Sequence, residues 1–526
     1  MSSRPAHFIE DTVLQGFGLG DQSDERWGRR DGRRRRANAQ QSERRNSGNS
    51  TGSGRGGDVE AAVVDSLTDE VVSQMQQLTV GQAAVGTSGG RHEQPAARVD
   101  SSPGHSNSGR NTEHDSWIFL DNAAQVFGRS PELKEVTDLD IRKGYDSQGY
   151  YWRGNLIQKE VYMGYRKRMY PRHQYVEHSV KQVRKMGKCI DTVHSFYKFR
   201  YSAIGDDFRS QIGHFQHRDM LWATSSYDVF YCHSGSVCCW NPWQRMARRS
   251  VLGRSQMPKA FKVRSMCVDS GVVFVGDGKG DYCVKALRTD TGSVAAGSLV
   301  AGAGEDAVNH ASPATTRSGT PHIVCSLDSG AVRSLDVSSL SVAKTSVFDW
   351  PVHCSSLVQD GTLQCVVGDS TDALLIDPRC DSGDHVAQLV GHQDYSFSCA
   401  FSPNGRLVAT GSQDTSIRVY DVRRPQQTLA TLCGYIGAMR VVRFSGCGRF
   451  LLGMESADYV HVYDAQSFAR AQVVSFMGET AGATFSPDSN CLFLAVSDSI
   501  HGSSLAEHSL TSVDTEGVSN PRRMPF

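Results

Sequence analysis

The sequence predicts an all-β protein in which one unit of three short strands is repeated along the chain. Residues 391–424 show the unit most clearly, because SFSCAF and RLVATGS flank a Pro-Asn-Gly turn and TSIRVYDV follows. Corresponding strand ends carry Asp377, Asp421 and Asp464, which lie 44 and 43 residues apart. A unit of this period cannot cover both faces of its own small sheet, so successive units are expected to stack.

Seven units of this kind can be aligned at intervals of about 40 residues. They occupy residues 220–242, 263–287, 321–339, 355–379, 391–424, 437–467 and 482–499. Residues 194–203, HSFYKFRYSA, add one strand before the first unit, and we expect it to pair as the outer strand of the last unit. Such pairing closes the units into a ring, so the sequence predicts a seven-bladed β-propeller over residues 191–510.

Residues 391–424 resemble the WD-repeat family. Gly391 and His392 match the Gly-His pair of that family, and Tyr420 with Asp421 stands where Trp-Asp is usual. The resemblance implies a buried structural chain of hydrogen bonds that stiffens the blade. The implied members of this chain are His392, Thr410 or Ser412, Asp414 and Tyr420.

A narrower resemblance covers residues 140–510. Gln148, Gly149 and Trp152 match a short Gln-Gly-x-x-Trp segment of an uncharacterised WD-repeat family of fungi and plants. In that family the segment precedes a helix, and a sequence similar to LWATSSYDVFY at 221–231 opens the propeller. The resemblance implies the fold, and it implies no biochemical activity.

The two ends of the chain differ from the repeats. Residues 1–115 are poor in apolar residues and rich in Ser, Gly, Gln, Asn and Arg, so we expect a disordered tail. Its basic run from Arg29 to Arg36 is typical either of a nuclear import signal or of a solvated low-complexity tail. Residues 58–78 have helical spacing and predict a transient helix or a partner-binding helix. Residues 511–526 are expected to form a flexible C-terminal tail.

Residues 116–190 are dense in aromatic and basic residues and predict a partly helical arm. Such a pattern can neutralise and stack on single-stranded RNA. The candidate nucleic-acid-binding residues are Tyr150, Trp152, Arg166, Lys167, Arg168 and Arg172. The alternative is that Tyr162, Tyr165 and Met169, at helical spacing, form one face that packs against the propeller.

Two Asp-x-Arg sequences end the third strands of adjacent units, at Asp377-Pro378-Arg379 and at Asp421-Val422-Arg423. They resemble the doubled motif by which WD-repeat substrate receptors of cullin-RING ubiquitin ligases present arginines to the ligase adaptor. A rigid guanidinium fork suits the carboxylates or carbonyl oxygens of a partner. The aspartates also have a structural interpretation, because each can accept hydrogen bonds from the turn that it begins.

The composition argues against catalysis. The eighteen His are scattered, the Gly-rich stretch 276–281 lacks the phosphate-loop pattern, and none of the fourteen Cys forms a C-x-x-C pair. We therefore expect no enzyme activity, no metal, no cofactor and no small-molecule substrate. Most Cys lie in apolar strand-like runs, which are typical of buried free thiols in a reducing compartment.

Charge and hydropathy narrow the function further. Lys+Arg equals Asp+Glu at 56 each, which argues against a chain that coats nucleic acid along its whole length. No apolar run predicts a membrane span, and the N-terminus lacks a signal-segment pattern. The sequence predicts a non-catalytic protein–protein scaffold of the cytoplasm or nucleus, with a cullin-RING substrate receptor as its specific form. The alternative is an RNA-associated factor that binds through residues 150–188.

Overall fold

Our computed structural model describes part of the chain, all of it within the compact unit from Ser66 to Phe526. The described residues are 133–153, 158–169, 187, 195–245, 248–287, 293–300, 305–316, 318–380, 385–497 and 503–511. The predicted N-terminal tail, with its basic run and its helix at 58–78, lies outside the described residues, as do residues 512–526. No helix in the described part is long and apolar enough to span a membrane.

Strands dominate the described residues, and only two α-helices occur among them. The first elements in the chain are β1 (Glu135–Thr137), α1 (Asp138–Lys143), α2 (Lys159–Met169) and β2 (Tyr197–Ile204). Single-turn 3-10 helices lie at Asp206–Phe208 and Arg254–Gln256.

Five antiparallel sheets of four strands follow one another along the described chain. The first contains β3 (Leu221–Ala223), β4 (Val229–His233), β5 (Ser236–Trp240) and β6 (Arg248–Leu252). The second contains β7 (Ser265–Asp269), β8 (Val272–Gly276), β9 (Asp281–Ala286) and β10 (Ala295–Ser298). The third contains β11 (Val308–Thr315), β12 (Pro321–Leu327), β13 (Ala331–Asp336) and β14 (Val342–Val347). The fourth contains β15 (Val352–Leu357), β16 (Gln364–Gly368), β17 (Ala373–Ile376) and β18 (His385–Leu389). The fifth contains β19 (Ser396–Phe401), β20 (Leu407–Ser412), β21 (Ser416–Asp421) and β22 (Thr428–Cys433).

The remaining strands form one sheet of eight, in the order β1-β2-β28-β27-β26-β25-β24-β23. Its further strands are β23 (Met439–Phe444), β24 (Phe450–Glu455), β25 (Ala457–Asp464), β26 (Ala471–Phe485), β27 (Cys491–Val496) and β28 (Ser504–Leu510). The strand β26 has 15 residues, and its first part pairs with β25 while its second part pairs with β27. Gly478, with a φ of 115°, lies near the end of the first part, two residues before the pairing with β27 begins at Thr480.

The predicted closing strand is confirmed. β2 pairs antiparallel with β28, from Tyr197 opposite Leu510 to Ile204 opposite Ser504. β1 then pairs with the free edge of β2, so the arm also contributes a strand to this sheet. The outermost position of the last sheet is therefore filled from the N-terminal side of the repeats.

The first strands of successive sheets contact one another in a closed order. β3 contacts β7, which contacts β11, and the contacts continue through β15, β19, β23 and β26 back to β3. At the join, the Met220 N–H donates to the carbonyl oxygen of Ala481 at 3.0 Å. These inner strands line a channel, with a cavity of about 320 Å³ toward their C-terminal ends.

Apolar side chains fill the spaces between neighbouring sheets. Between the fourth and fifth sheets, Cys365 and Leu375 pack in one cluster with Val408 and Tyr420. Each fully buried aliphatic or aromatic side chain contributes about 1.5–3 kcal/mol relative to its exposed state. The large apolar faces explain why the sequence units repeat, because each sheet requires a neighbour on both sides.

Several strands were not predicted. The unit at 321–339 contains only β12 and β13. Its inner strand β11 (VNHASPAT) was not predicted, because polar residues and Pro313 interrupt the alternation of apolar residues. Likewise, the unit at 482–499 omits β28. The fourth strands of the sheets are half-exposed and short, which gives them little apolar pattern. The number of blades depends on dividing the eight-stranded sheet, so seven blades stays a prediction.

We predict that His508 makes the fold less stable in acid. His508 lies on β28, buried against the ring of Phe199 with 5.5 Å between ring centroids, and burial lowers its pKa to about 4. In the unfolded chain the His508 ring protonates near pH 6.5. The stability that depends on its neutral form is therefore complete above pH 6.5 and decreases as the pH falls toward 4. Between pH 7 and pH 5, the free energy of unfolding of the wild type should fall by about 2 kcal/mol more than that of His508→Gln. Urea unfolding at the two pH values measures this difference.

His385, which is exposed on β18, supplies the matched control. His385→Gln should keep the pH dependence of the wild type. An equal pH dependence for His508→Gln and wild type would contradict the assignment.

Candidate functional site

The hydrogen-bond chain implied for residues 391–424 is assembled in the fifth sheet. His392 Nδ1 lies 2.9 Å from Asp414 Oδ2, and His392 Nε2 lies 2.8 Å from Thr410 Oγ1. The Ser416 hydroxyl donates to Asp414 Oδ1 at 2.6 Å. These side chains are all buried. The Tyr420 hydroxyl donates to the carbonyl oxygen of Val390 at 3.1 Å.

Ser412 has a separate part in the same blade. Its hydroxyl donates to the Tyr395 carbonyl oxygen at 2.8 Å and accepts from the Asp414 N–H at 3.1 Å. Burial acts to raise the pKa of Asp414, but the charge and hydrogen bond of His392 outweigh it and hold that pKa below its ordinary value. Such a fully paired polar group inside an apolar blade favours a structural role.

The next sheet contains a related cluster that the sequence analysis missed. Glu455, at the end of β24, is buried, and its Oε1 lies 2.6 Å from His461 Nε2. Its carboxylate also accepts from the backbone N–H groups of Tyr435, Ile436 and Gly437 at 2.6–2.7 Å. Gly434-Tyr435 stands where the fifth sheet has Gly391-His392, so the Gly-His motif gave no signal for this cluster.

The Asp-x-Arg sequences form matching turns after the third strands of the fourth and fifth sheets. Asp377 Oδ1 accepts from the N–H and the Nε of Arg379 at 2.9 and 2.8 Å. Asp421 Oδ1 accepts from the N–H and the Nε of Arg423, both at 2.9 Å. The arginine side chains are 53% and 70% exposed. Each aspartate thus fixes an exposed guanidinium beside its own turn.

The pKa values of the turn aspartates are lowered, as these hydrogen bonds require. The arginine hydrogen bonds lower the pKa values of Asp377 and Asp421 to about 2 each. Asp336, at the corresponding end of β13, has its pKa lowered to about 2 by the Ser338 hydroxyl and by backbone N–H groups. The turn therefore uses the aspartate in all three sheets, and the arginine accompanies it in two of them.

The segment Asp146–Trp152 docks the arm on the last sheet. Gln148 is buried, and its side-chain amide donates to the Met477 carbonyl oxygen at 2.7 Å and accepts from the Met477 N–H at 2.6 Å. Asp146 Oδ1 accepts from the N–H groups of Gln148 and Tyr150, and Asp146 Oδ2 accepts from Trp152 Nε1 at 2.9 Å. The Gln-Gly-x-x-Trp segment is thereby a backbone clamp on β26.

Gly149 is required in this clamp. Its φ of 83° lies in the left-handed region, and an added Cβ would come within 2.9 Å of Leu133 Cδ2. A side chain at this position would be strained by the backbone and would push the clamp away from the sheet.

Two of the candidate RNA-binding residues on α2, Arg166 and Lys167, contact the last sheet or the loop before β23. Arg166 is buried, and its Nε and Nη2 donate to the two carboxylate oxygens of Asp458 at 2.7 and 2.8 Å. Burial alone would lower the pKa of Arg166, but the Asp458 charge raises it. Lys167 Nζ lies 3.8 Å from the centroid of the Tyr435 ring. Tyr150 and Tyr162 are buried in one cluster with Ile436 and Met477.

These contacts favour an arm that is pinned to the propeller. The side chains of Tyr165, Arg168 and Met169, and the whole of Arg172, lie outside the described residues. Among the described residues, no group of three or more His, Cys, Asp or Glu side chains is placed to hold a metal ion.

We predict that the buried ion pair of the arm is important for stability. Arg166→Ala leaves the Asp458 carboxylate buried without its charge partner, which should lower the free energy of unfolding by about 3–5 kcal/mol. The double variant Arg166→Met/Asp458→Asn should recover most of this loss, because Asn tolerates the positive φ of 65° at Asp458 and removes the charge. Urea unfolding of both variants measures the difference.

Arg142→Ala is the control for this experiment. Arg142 pairs with Asp138 on the exposed side of α1, and its loss should cost at most about 0.5 kcal/mol. A cost for Arg166→Ala no larger than that of Arg142→Ala would refute the importance of the pair.

Comparison with known proteins agrees with a WD repeat in one part of the chain. Residues 383–421 match the family model "WD domain, G-beta repeat". A ribosome biogenesis protein WDR12 homolog of Nematostella vectensis is 32% identical over 94 residues, which is 17% of this chain and 23% of that protein. The chain thus spans about a quarter of the length of this curated relative.

Two solved structures match the chain at low identity. The WD40 β-propeller domain of Doa1 is 14% identical, with a TM-score of 0.48, covering 61% of this chain and 99% of that one. A chain of the Mitotic Checkpoint Complex is 15% identical, with a TM-score of 0.49, covering 62% of this chain and 96% of that one. The family match itself includes β18 of the fourth sheet and β19, β20 and β21 of the fifth. The stretch 383–421 is therefore similar in sequence to a WD repeat, and it spans parts of two neighbouring sheets.

Proposed function

We propose that this protein is a non-catalytic protein–protein interaction scaffold built on a seven-bladed WD-repeat propeller. The count takes the eight-stranded sheet as two blades that share β26, in addition to the five four-stranded sheets. The propeller corresponds to residues 191–510, and the described part of the arm clamps onto β26, the strand that the last two blades share. Support comes from the closed order of the inner strands, since a ring of this kind presents rigid loops at both ends of its channel.

The observation that carries a more specific role is the matched pair of exposed arginines. Arg379 and Arg423 leave equivalent turns on adjacent sheets, and each guanidinium is oriented by an aspartate two residues before it. Because the turns are equivalent, the two arginines are presented at the same face of the ring. A partner with two carboxylates or carbonyl oxygens at matching spacing can accept from both.

We therefore propose that this face binds the adaptor of a cullin-RING ubiquitin ligase and that the protein acts as a substrate receptor. Arg470 adds a third arginine–aspartate pair in the next sheet, where its Nη2 lies 3.1 Å from Asp464 Oδ2. A charged partner surface would meet three adjacent blades rather than one. Exposed arginines of this kind act mainly on partner choice and association.

We predict that Arg379→Ala/Arg423→Ala abolishes adaptor binding and leaves the fold intact. Solvent-exposed ion pairs contribute little to stability, so the melting temperature should change little. Tagged wild type and the double variant are recovered from cells, and their partners are compared by mass spectrometry. A ligase adaptor should appear with wild type and disappear with the variant.

Arg142→Ala serves as the matched control, because it removes an exposed arginine–aspartate pair outside this face. It should retain the adaptor. Absence of every ligase component from the wild-type sample would refute the receptor role and leave the scaffold to be defined by the partners recovered.

Binding of RNA through the arm has weaker support. Tyr150 and Arg166 are buried, and Lys167 lies over the Tyr435 ring, so these groups stabilise the docked arm. Nuclease treatment in the same experiment separates the two functions. Partners that vanish with nuclease, and whose binding falls steeply with salt, would support an RNA-associated factor instead.

A further inference from the structure

The channel contains a cluster of polar side chains that the scaffold function does not use. His310 on β11 has its Nδ1 3.5 Å from Cys354 Sγ on β15, and its Nε2 3.3 Å from Asp219 Oδ2. Cys354 Sγ lies 3.9 Å from Cys399 Sγ on β19. Arg443 on β23 donates to both oxygens of Asp219 at 2.7 Å. The cluster therefore links an acid, an imidazole and two thiols, in the order Asp219, His310, Cys354 and Cys399.

These contacts favour ionisation of the Cys354 thiol to a thiolate. The Cys399 thiol donates to Cys354, burial opposes ionisation, and the charge of His310 favours it, so that the pKa of Cys354 lies below its ordinary value. Burial works to lower the pKa of His310, but the charges of Cys354 and Asp219 outweigh it and raise that pKa to about 10. A cysteine paired with an imidazolium that is held by a carboxylate is the usual arrangement of a reactive thiol.

The other thiols near the channel have different surroundings. Cys399 has its pKa raised, mainly by burial, and its Sγ lies 3.5 Å from the Cys365 carbonyl oxygen. Burial likewise raises the pKa values of Cys267 and Cys325. Cys354 differs in contacting a histidine ring nitrogen, His310 Nδ1, at 3.5 Å.

A small oxidant can reach the cluster. Asp219, His310, Cys354 and Cys399 all line the cavity of about 320 Å³ near the C-terminal ends of the inner strands. A water molecule occupies about 30 Å³ in the liquid, so this space accommodates a hydroperoxide several times that size. The side chains of His310 and Asp219 are 15% and 16% exposed, so solvent reaches this cluster.

We propose that Cys354 is a peroxide-reactive thiol and that Cys399 resolves its oxidation product into a disulfide between neighbouring inner strands. The Cys354 thiolate attacks the terminal oxygen of a hydroperoxide, the O–O bond breaks, and the departing alkoxide or hydroxide takes a proton from His310. Cys354 is then a sulfenic acid, oxidised by two electrons. Cys399 attacks this sulfur, the S–O bond breaks, and the departing hydroxide takes the Cys399 proton and leaves as water.

The net reaction consumes two thiols and one hydroperoxide and yields one disulfide, one alcohol or water from the peroxide, and one further water. The sulfurs must move from 3.9 Å to about 2.05 Å, the length of a disulfide. β15 and β19 contact each other as neighbouring inner strands, so the bond would link the fourth and fifth sheets across their interface.

Oxidation of the full-length protein tests this site. Purified wild type is treated with hydrogen peroxide at pH 7, quenched with an alkylating agent, and digested without reduction for mass spectrometry. The expected product is the peptide pair linked through Cys354 and Cys399. Cys399→Ser should instead accumulate a sulfenic acid on Cys354, which dimedone traps.

The role of His310 has its own readout. His310→Asn should slow oxidation of Cys354 about tenfold or more at pH 7, because an ordinary thiol is only a few per cent ionised there. Circular dichroism melting establishes that this variant is folded. Cys325, equally buried and without a histidine, is the internal control within each sample and should stay reduced.

Two results would overturn the proposal. One is oxidation of the exposed Cys380 and Cys447 while Cys354 stays reduced in wild type. The other is equal oxidation of Cys354 and Cys325, which would show that the histidine and acid confer no reactivity. Both comparisons use wild type alone, so they decide the matter even where His310→Asn does not fold.

Discussion

The hydrogen bonds between β2 and β28 join the two ends of the repeat array, and every other sheet relies on that join. Each sheet has two apolar faces, and a row of sheets would leave one face uncovered at each end. The ring leaves none. The joined strands are far apart in sequence, and the Thr511 hydroxyl donates to Ser195, 316 residues away. Closing so long a loop costs only slightly more entropy than closing a short one, whereas the buried apolar area gained is large.

Polar groups inside this apolar ring occur as paired sets. His392 with Asp414, and Glu455 with His461, tie the inner ends of two blades to the backbone. Arg166 with Asp458 ties the arm to the same region. A buried charge without a partner is costly, so these pairs restrict how neighbouring segments can be arranged. The described part of the arm is accordingly packed on the last sheet, in spite of a composition that suits a nucleic-acid-binding segment.

Sequence pattern predicted the elements whose signal is local. The alternating strands of residues 391–424, the recurrent aspartates after third strands and the closing strand at 194–203 all depend on neighbours in sequence. β11 and β28 carry no clean alternation and were missed. The pairs Arg166–Asp458 and Cys354–His310 could not be predicted, because they are created when distant segments meet in the ring. Burial of Arg166 favours the pinned arm over the RNA-binding interpretation of this basic helix.

The continuous strand β26 has a consequence for how the molecule opens. In the other sheets a loop separates the fourth strand of one sheet from the first strand of the next, so a local fluctuation can detach one sheet at its loop. β26 serves as the outer strand beside β25 and the inner strand beside β27 without an intervening loop. Amide protons on both sides of Gly478 should therefore exchange with solvent as a single cooperative unit. We expect the eight-stranded sheet, including the strand that closes the ring, to open as one cooperative unit.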